Sequence, residues 1–261
     1  MTTGWLVFTD LDGTLLDHNS YDHREAVPAL RKLRERQIPV ILVSSKTHAE
    51  LADLMQKLEL EGPMIGENGA VIIYPGEAPQ IAPPGYLQIR DYLVDSRTNP
   101  NYETLGFGDM TVEEVMASTG LQQEAAKLAM QRLGSEAFIW QGSEGELKQF
   151  RQDVARTGLR LLKGGRFYHL LGDTDKGKAV KYVTRHLKNK GYTITKTIGL
   201  GDSDNDREML LAVDVPVIVR KHDGTHIELD RRPDAMVTDL PGPAGWNQAI
   251  QYLIQQSESE T

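Results

Sequence analysis

The sequence predicts an α/β fold, with a parallel-sheet core formed by both ends of the chain and an α+β cap inserted between them. Short apolar runs alternate with segments of helical apolar spacing near both ends, which indicates parallel strands joined by right-handed crossovers. The proline-rich stretch 75–85 interrupts this alternation and can be neither a helix nor a central strand. We therefore expect a core of residues 1–82 and 172–261 and a cap of residues 83–171.

The core elements follow from local patterns of apolar residues. The run Trp5–Thr9 suits a strand buried on both faces. Val27, Leu30 and Leu33 have the spacing of one helical face. The other core strands are expected at Ile38–Val43, Met64–Ile65, Ala70–Tyr74, Thr195–Leu200 and Pro216–Val219. The core helices are expected at 24–36, 47–59, 176–190, 206–213 and 245–256.

In the cap region, helical and strand patterns do not alternate regularly along the sequence. The predicted cap helices are 111–118, 121–132 and 144–157. The predicted cap strands are Leu87–Ile89, Ala137–Trp140, Leu159–Leu162 and Phe167–Leu171. This order is typical of a small α+β unit.

The composition narrows the class of protein. The 261 residues are 39% apolar and 25% charged, which is typical of a globular chain long enough for one or two domains. The net charge of −8 disfavours nucleic acid or an anionic membrane as a general partner. Because cysteine is absent, disulfides, thiolate nucleophiles and cysteine-ligated metals are excluded. No signal peptide or membrane-spanning run is visible, so we expect a cytoplasmic protein.

Two carboxylates follow the first predicted strand. Asp10 ends the strand, and Asp12 lies two residues later, on the same side if the chain stays extended. Two carboxylates this close repel each other and need a proton, a donor or a metal. A hard divalent cation fits such an all-oxygen cluster. The alternative to a metal site is a polar loop with an Asx turn. The position of the two carboxylates after a strand and before Gly13 and Thr14 disfavours this alternative.

Three further segments carry candidate residues at predicted strand or helix ends. Ser44, Ser45 and Lys46 follow the second strand, where a hydroxyl and the next helix terminus can bind a phosphoryl oxygen. Either serine could equally be only a helix N-cap. Lys176 begins a helix, and near the carboxylates it would hold Asp10 ionised, although a lone lysine is usually a surface residue.

The run 201–206, GDSDND, follows another predicted strand. Asp202 is placed to provide a third carboxylate for a metal site at the same sheet edge. Asp206 begins a helix, where a negative charge is favourable in any case. For Asp204, an ordinary solvated acid in a loop is the stronger interpretation.

Together, DLDGT, Ser44, Lys176 and GDSDND resemble, in this order, the four motifs of the haloacid dehalogenase superfamily. The insertion between the second and third motifs resembles the α+β cap of its Cof-type members, for which ENGA at 67–70 is also typical. The resemblance implies a Rossmann-like core. Further segments extend it to the mannosyl-3-phosphoglycerate phosphatase family: VSSKT, GFGDMT, GGRFYH, DKGKAV, GLGDSDND and GPAGW.

The resemblance implies a Mg²⁺-dependent phosphatase acting through an aspartyl-phosphate. Asp10 would be the nucleophile and Asp12 the general acid and base, and both would bind Mg²⁺ with Asp202, Asp12 through its backbone carbonyl. Lys176 and Ser44 would bind the phosphoryl group. Asp206 and Asn205 would contact the metal ligands without binding the ion themselves.

The implied substrate is a small phosphorylated sugar acid, mannosyl-3-phosphoglycerate, whose product mannosylglycerate is a compatible solute. Arg166 is the candidate cation for its carboxylate or phosphate. The remaining candidate substrate-binding residues are Ser45, Lys46, Glu67, Asn68, Asp109, Thr111 and His169. Packing in a cap strand is an equal alternative for His169. A glucosyl-3-phosphoglycerate phosphatase, a broader sugar-phosphate phosphatase and a hexose-phosphate phosphomutase remain open alternatives.

Overall fold

The computed structural model describes residues 4–259. Its strands are β1 Trp5–Thr9, β2 Val40–Leu42, β3 Met64–Gly66, β4 Val71–Ile73, β5 Gln80–Ile81, β6 Thr104–Gly106, β7 Ser135–Trp140, β8 Arg160–Lys163, β9 Tyr168–Leu171, β10 Lys196–Gly201, β11 Val215–Arg220 and β12 Met236–Pro241. Its α-helices are α1 Val27–Glu35, α2 His48–Lys57, α3 Tyr86–Ser96, α4 Val112–Thr119, α5 Gln123–Ala129, α6 Glu144–Arg156, α7 Lys176–Asn189, α8 Arg207–Ala212 and α9 Gly242–Ser259.

The chain divides into two compact units. The first unit contains the residues up to Val43, the short segment Leu60–Pro63 and the residues from Lys176 onward. The second unit contains Ser44–Glu59 and Met64–Asp175. Two compact units do not by themselves identify one of them as a cap. The domain boundaries after residues 82 and 171 therefore stay a prediction.

The first unit is built on a five-stranded parallel sheet in the order β12-β11-β10-β1-β2. All five residues of β1 are buried, as expected for a central parallel strand with helices on both faces. One group of helices, α1 with α9, packs together, and a second group is formed by α7 with α8. The arrangement confirms the α/β class and brings the carboxyl ends of all five strands to one edge.

The second unit contains two antiparallel sheets, β3-β4-β5 and β6-β7-β9-β8. Phe138 and Phe150 are fully buried in its core, with their rings edge-to-face at 6.1 Å between centroids. Tyr102 packs edge-to-face on Phe150 at 5.1 Å. These aromatic contacts join α6 to the four-stranded sheet. The four-stranded sheet with its packed helices agrees with the predicted α+β character of the cap. The strands β3 and β4 were expected in the parallel core, but they pair antiparallel in a separate sheet, so that expectation is wrong.

One predicted strand is wrong. Leu87–Ile89 lies inside α3, whose buried residues Ile89 and Leu93 are four apart and share a helical face. The short run LQI fits either structure when it is considered alone. The longer pattern and the start after Gly85 decide for the helix.

Three strands were not predicted, namely β5, β6 and β12. β6 has only three residues, and β12 lies at the sheet edge with Thr238 as its buried member. β5, within the proline-rich stretch, is a two-residue strand at the edge of its sheet, which agrees with the expectation that this stretch forms no central strand. Between residues 4 and 259, no helix combines the length and the apolar character needed to cross a membrane.

Candidate active site

The nucleophile candidate Asp10 is the first residue after β1, an interior strand of the parallel sheet, and it is buried. Its backbone N–H donates to the Leu200 carbonyl at 2.9 Å, which continues the β1–β10 ladder. Its own carbonyl accepts the Thr9 hydroxyl at 2.7 Å. Trp246 Nε1 in turn donates to Thr9 Oγ1 at 3.0 Å. The buried side chain of Trp246 in α9 therefore helps to fix the end of β1. The sequence analysis named this tryptophan only as part of the GPAGW segment.

A buried lysine joins two acidic residues of this edge. Lys176 begins α7 and is 1% exposed. Its Nζ lies 2.6 Å from Asp10 Oδ1 and 2.6 Å from Asp206 Oδ1. The alternative of an ordinary surface lysine is therefore wrong for Lys176.

The GDSDND run folds into a turn at the end of β10. Asp206 Oδ2 accepts the backbone N–H groups of Asp202 at 3.2 Å and Ser203 at 3.1 Å. Ser203 Oγ adds a third bond at 3.0 Å. Thr14 Oγ1 donates to Asp202 Oδ1 at 3.3 Å, which connects the turn to the DLDGT run.

The pKa values of these groups follow from burial and mutual repulsion. Burial raises the pKa of Asp10 well above its ordinary value, and Asp206 raises it further, while Lys176 opposes the shift. Burial and Asp206 raise the pKa of Asp202 to about 7. Burial lowers the pKa of Lys176, but Asp10 and Asp206 outweigh it and raise the pKa overall. The lysine therefore stays charged, and the site carries more acidic than basic groups.

The acidic groups fit a hard divalent cation. Carboxylate oxygens of Asp10, Asp202 and Asp206 lie within 4.8 Å of one another. All the donors are oxygen atoms, which Mg²⁺ prefers. Both oxygens of Asp206 are already bonded, one to Lys176 and the other to backbone N–H groups. Asp10 and Asp202 are therefore better placed to ligate the ion than Asp206 is.

A tight turn places Asp12 beside these groups in the chain. The Leu11 carbonyl accepts the N–H groups of Thr14 at 3.0 Å and Leu16 at 2.8 Å. Gly13 has a φ of +84°, and a Cβ there would lie 2.9 Å from Asp202 Oδ2. Glycine is therefore required at this position both by the backbone conformation and by the closeness of the carboxylate.

In the second unit, Ser44 is held in a network of backbone bonds. Its N–H donates to Ile65 O at 3.0 Å, and its carbonyl accepts the Asn68 N–H at 2.9 Å. The Lys46 N–H donates to Ser44 Oγ at 3.3 Å. The residue that caps α2 is Thr47, whose hydroxyl accepts the Glu50 N–H. The N-cap alternative for Ser44 and Ser45 is therefore wrong.

Glu67 is buried and its carboxylate binds the chain itself. Oε1 accepts the Leu133 N–H at 2.8 Å, and Oε2 accepts the Gly134 N–H at 3.1 Å and the Ser135 hydroxyl at 2.7 Å. Arg132 Nε lies 3.8 Å from Oε2, and Arg132 Nη2 donates to Ser45 O at 3.2 Å. Arg132 thus links Glu67 to the Ser44–Thr47 segment.

The other four candidates lie elsewhere in the second unit. Asp109 is paired through both carboxylate oxygens, with Arg90 at 2.7 Å and with Arg97. Thr111 caps α4. Arg166 is exposed and donates to the Ser118 carbonyl at 3.1 Å, and His169 is buried in β9. Among the described residues, no hydrogen bond or ion pair joins Asp109, Thr111 and Arg166 to one another.

Known proteins resemble nearly the whole chain. The family model for haloacid dehalogenase-like hydrolases matches residues 7–83 and 143–225. A glucosyl-3-phosphoglycerate/mannosyl-3-phosphoglycerate phosphatase of Methanococcoides burtonii is 39% identical over 95% of this chain and 97% of its own. A phosphatase of the same name from Persephonella marina is 36% identical over 97% and 98%. The solved structure of a haloacid dehalogenase-like hydrolase from B. subtilis, 20% identical, superposes with a TM-score of 0.70 over 97% of this chain and 100% of its own.

Proposed function

Because the chain belongs to the haloacid dehalogenase-like hydrolases and is a phosphoric monoester hydrolase, we propose that it hydrolyses mannosyl-3-phosphoglycerate to mannosylglycerate and phosphate. The observation that carries the chemistry is the buried Asp10 carboxylate, held 2.6 Å from Lys176 Nζ at the carboxyl end of β1. The names of the relatives support the substrate class. The substrate is a small anion that carries a phosphate ester, a carboxylate and a sugar.

Asp10 is the nucleophile of this proposal. Its carboxylate attacks phosphorus in line, and the sugar-acid oxygen leaves, so that an aspartyl-phosphate forms. Water then attacks phosphorus, releases phosphate and restores Asp10. Lys176 stays charged, because its own pKa is raised by the two carboxylates that it contacts. It opposes the effect of burial on Asp10, so it favours the ionised form of that carboxylate, and it neutralises charge on the phosphoryl group.

Asp12 is the proposed general acid and general base. It donates a proton to the leaving oxygen and then accepts one from the attacking water. Its position in the turn, two residues after the nucleophile, supports this role. Ser44 is proposed to bind a phosphoryl oxygen, and its backbone is fixed by bonds from Ser44 N–H and to Ser44 O.

Mg²⁺ is the proposed cofactor. Asp10 and Asp202 would hold it with their carboxylates, and Asp12 would add its backbone carbonyl. When bound, the ion would neutralise charge on the phosphoryl oxygens. Asp206 fixes the backbone N–H groups of Asp202 and Ser203, and Asn205 lies in the same turn. This arrangement supports a role for Asp206 in orienting Asp202.

Glucosyl-3-phosphoglycerate is the second candidate substrate. Both relatives carry the two substrates in one name, which favours an enzyme that accepts either sugar. The two compounds differ mainly in the configuration of one hydroxyl. A phosphomutase has no comparable support, because the named relatives are phosphatases.

The proposal is tested by phosphate release from both glycosyl-3-phosphoglycerates, hexose phosphates and p-nitrophenyl phosphate, with and without Mg²⁺. We expect the highest kcat/KM on the two glycosyl compounds and a loss of several orders of magnitude in Asp10→Asn. Asp204→Asn is the matched control, because Asp204 is an exposed acid of the GDSDND turn paired with Arg207 at 2.8 Å. Equal, weak rates on every ester would contradict the substrate, and an active Asp10→Asn would contradict the mechanism.

A further inference from the structure

Lys221 is a cation at the same sheet edge as the nucleophile. It is the first residue after β11, which lies beside β10 in the parallel sheet. In the register of these strands Gly201 pairs with Ile218, so β11 extends two residues further than β10. At about 3.3 Å per residue, Lys221 is roughly 7 Å further along the strand direction than Asp202. The lysine backbone therefore lies above the carboxylates and not among them.

The loop that carries Lys221 is held by its own bonds. The Lys221 N–H donates to Thr225 O at 2.9 Å, and the Gly224 N–H returns to Lys221 O at 3.0 Å. His222 Nε2 lies 2.6 Å from Asp17 Oδ2, which ties this loop to the one that follows DLDGT. These contacts fix the position of the Lys221 backbone.

The two lysines of this edge differ in their ion pairs. Among the residues from 4 to 259, no carboxylate forms an ion pair with Lys221. Lys176, by contrast, contacts two carboxylates. Lys221 is therefore a second positive group of this edge, and an anionic group of the substrate other than the phosphoryl group can pair with it.

We propose that Lys221 binds the carboxylate that the substrate carries beside its phosphate ester. The proposal rests on the proposed function, in which the two anionic groups occupy the ends of a three-carbon unit. In the proposed function the phosphate ester lies beside Asp10. Because only three carbons separate the two anionic groups, the substrate carboxylate must then lie close by, further along the strand direction. The long, flexible side chain of a lysine, with its compact charge, can reach a carboxylate at that position. Lys221 would thus select phosphoglycerate esters over neutral sugar phosphates.

The test compares Lys221→Met and Lys221→Arg on two esters, mannosyl-3-phosphoglycerate and p-nitrophenyl phosphate, which has no carboxylate. Lys221→Met should lower kcat/KM about 10–100-fold on the first through KM, as expected for a lost charge-assisted bond. On the second it should stay within about twofold. Lys221→Arg should recover most of the loss. Lys196→Met is the control, since Lys196 begins β10 at the opposite edge of the same sheet.

Equal losses on both esters, or no loss on either, would overturn the carboxylate assignment. If the wild-type enzyme hydrolyses p-nitrophenyl phosphate but neither glycosyl compound, the proposed function fails. Inhibition of p-nitrophenyl phosphate hydrolysis by 3-phosphoglycerate and by glycerol 3-phosphate then tests Lys221 separately. Lys221→Met should weaken inhibition by the first, which has the carboxylate, and leave the second unchanged. An equal effect on both inhibitors, or none, would refute the role of Lys221.

Discussion

Lys176 Nζ lies 2.6 Å from both Asp10 Oδ1 and Asp206 Oδ1, so one buried ammonium group joins two buried carboxylates. Each carboxylate is costly to bury without a cation. The lysine is at the start of α7, and its stem is enclosed by the protein. The contact therefore stabilises two buried carboxylates, and the proposed mechanism uses the same three groups.

Replacing this lysine should harm both properties. Lys176→Met leaves two buried carboxylates without their ammonium partner, and we expect a loss of about 3–5 kcal/mol in the free energy of unfolding. Urea unfolding measures the loss, and phosphate release should fall by orders of magnitude in the protein that stays folded. Lys181→Met, at an exposed position of the same helix, should change neither. A Lys176→Met protein as stable as the wild type would contradict the interpretation of the pair.

The stability of the metal-free enzyme should fall as the pH rises. The folded-state pKa of Asp202 is raised to about 7, above its ordinary value of 3.8. The folded state therefore binds the proton more tightly than the unfolded state does, and this contribution is present below pH 3.8. It is lost as the pH rises to about 7, and it is constant above that. Urea unfolding in EDTA between pH 4 and 8 measures this slope, which Asp202→Asn should reduce.

Addition of Mg²⁺ should have the opposite pH dependence. A cation at Asp10 and Asp202 must displace protons, so its apparent affinity should increase as the pH rises through about 7. The increase in Tm caused by Mg²⁺ should accordingly be small at pH 5 and larger at pH 8. Asp202→Asn should abolish it, and Asp204→Asn should retain it. A pH-independent shift would indicate that the ion binds elsewhere.

The fold class followed from local patterns, because apolar periodicity is a property of neighbouring residues. The same patterns did not show that β3 and β4 lie outside the parallel sheet, since sheet membership depends on distant partners. The strand limits of β1 and the placement of Asp10 and Asp202 after strands agree with those patterns. The Lys176 contact joins residues 166 positions apart, and only the folded topology shows it. The roles assigned to the site residues stay predictions. Local patterns failed at Leu87–Ile89, where three residues fit both a strand and a turn of helix.

The bonds between Arg132 and the Ser44–Thr47 segment were also beyond local reasoning. Glu67 binds two backbone N–H groups at the start of β7, and Arg132 reaches Ser45 O. Both side chains are buried, and their partners lie 66 to 87 positions away. Patterns of neighbouring residues carry no information about such distant partners.

Arg132 should therefore matter for both folding and turnover. Arg132→Ala removes a buried cation beside Glu67, and we expect a loss of about 2–4 kcal/mol in unfolding free energy. Because Ser45 O loses its donor, kcat on p-nitrophenyl phosphate should fall in the folded fraction as well. Arg151→Ala is the control, since Arg151 also donates to a backbone carbonyl, Leu161 O, from the helix α6. A loss of stability with an unchanged kcat would assign Arg132 to folding alone.

Two glycines with the same backbone conformation separate strain from a direct effect on the metal site. Gly13 has a φ of +84° and Gly224 a φ of +83°, but a Cβ at Gly13 would lie 2.9 Å from Asp202 Oδ2, whereas nothing lies within 4 Å at Gly224. Either change to alanine should cost about 1 kcal/mol of stability through the left-handed backbone.

Only Gly13→Ala also forces the Asp202 carboxylate to move, so only that variant should bind Mg²⁺ more weakly and lose phosphatase activity. Titration of Mg²⁺ by the increase in Tm, together with phosphate release, distinguishes the two variants. Equal Mg²⁺ affinity in the two variants would mean that the carboxylate moves aside without cost. In that case Asp202 would not be held in the position that its contact with Thr14 indicates.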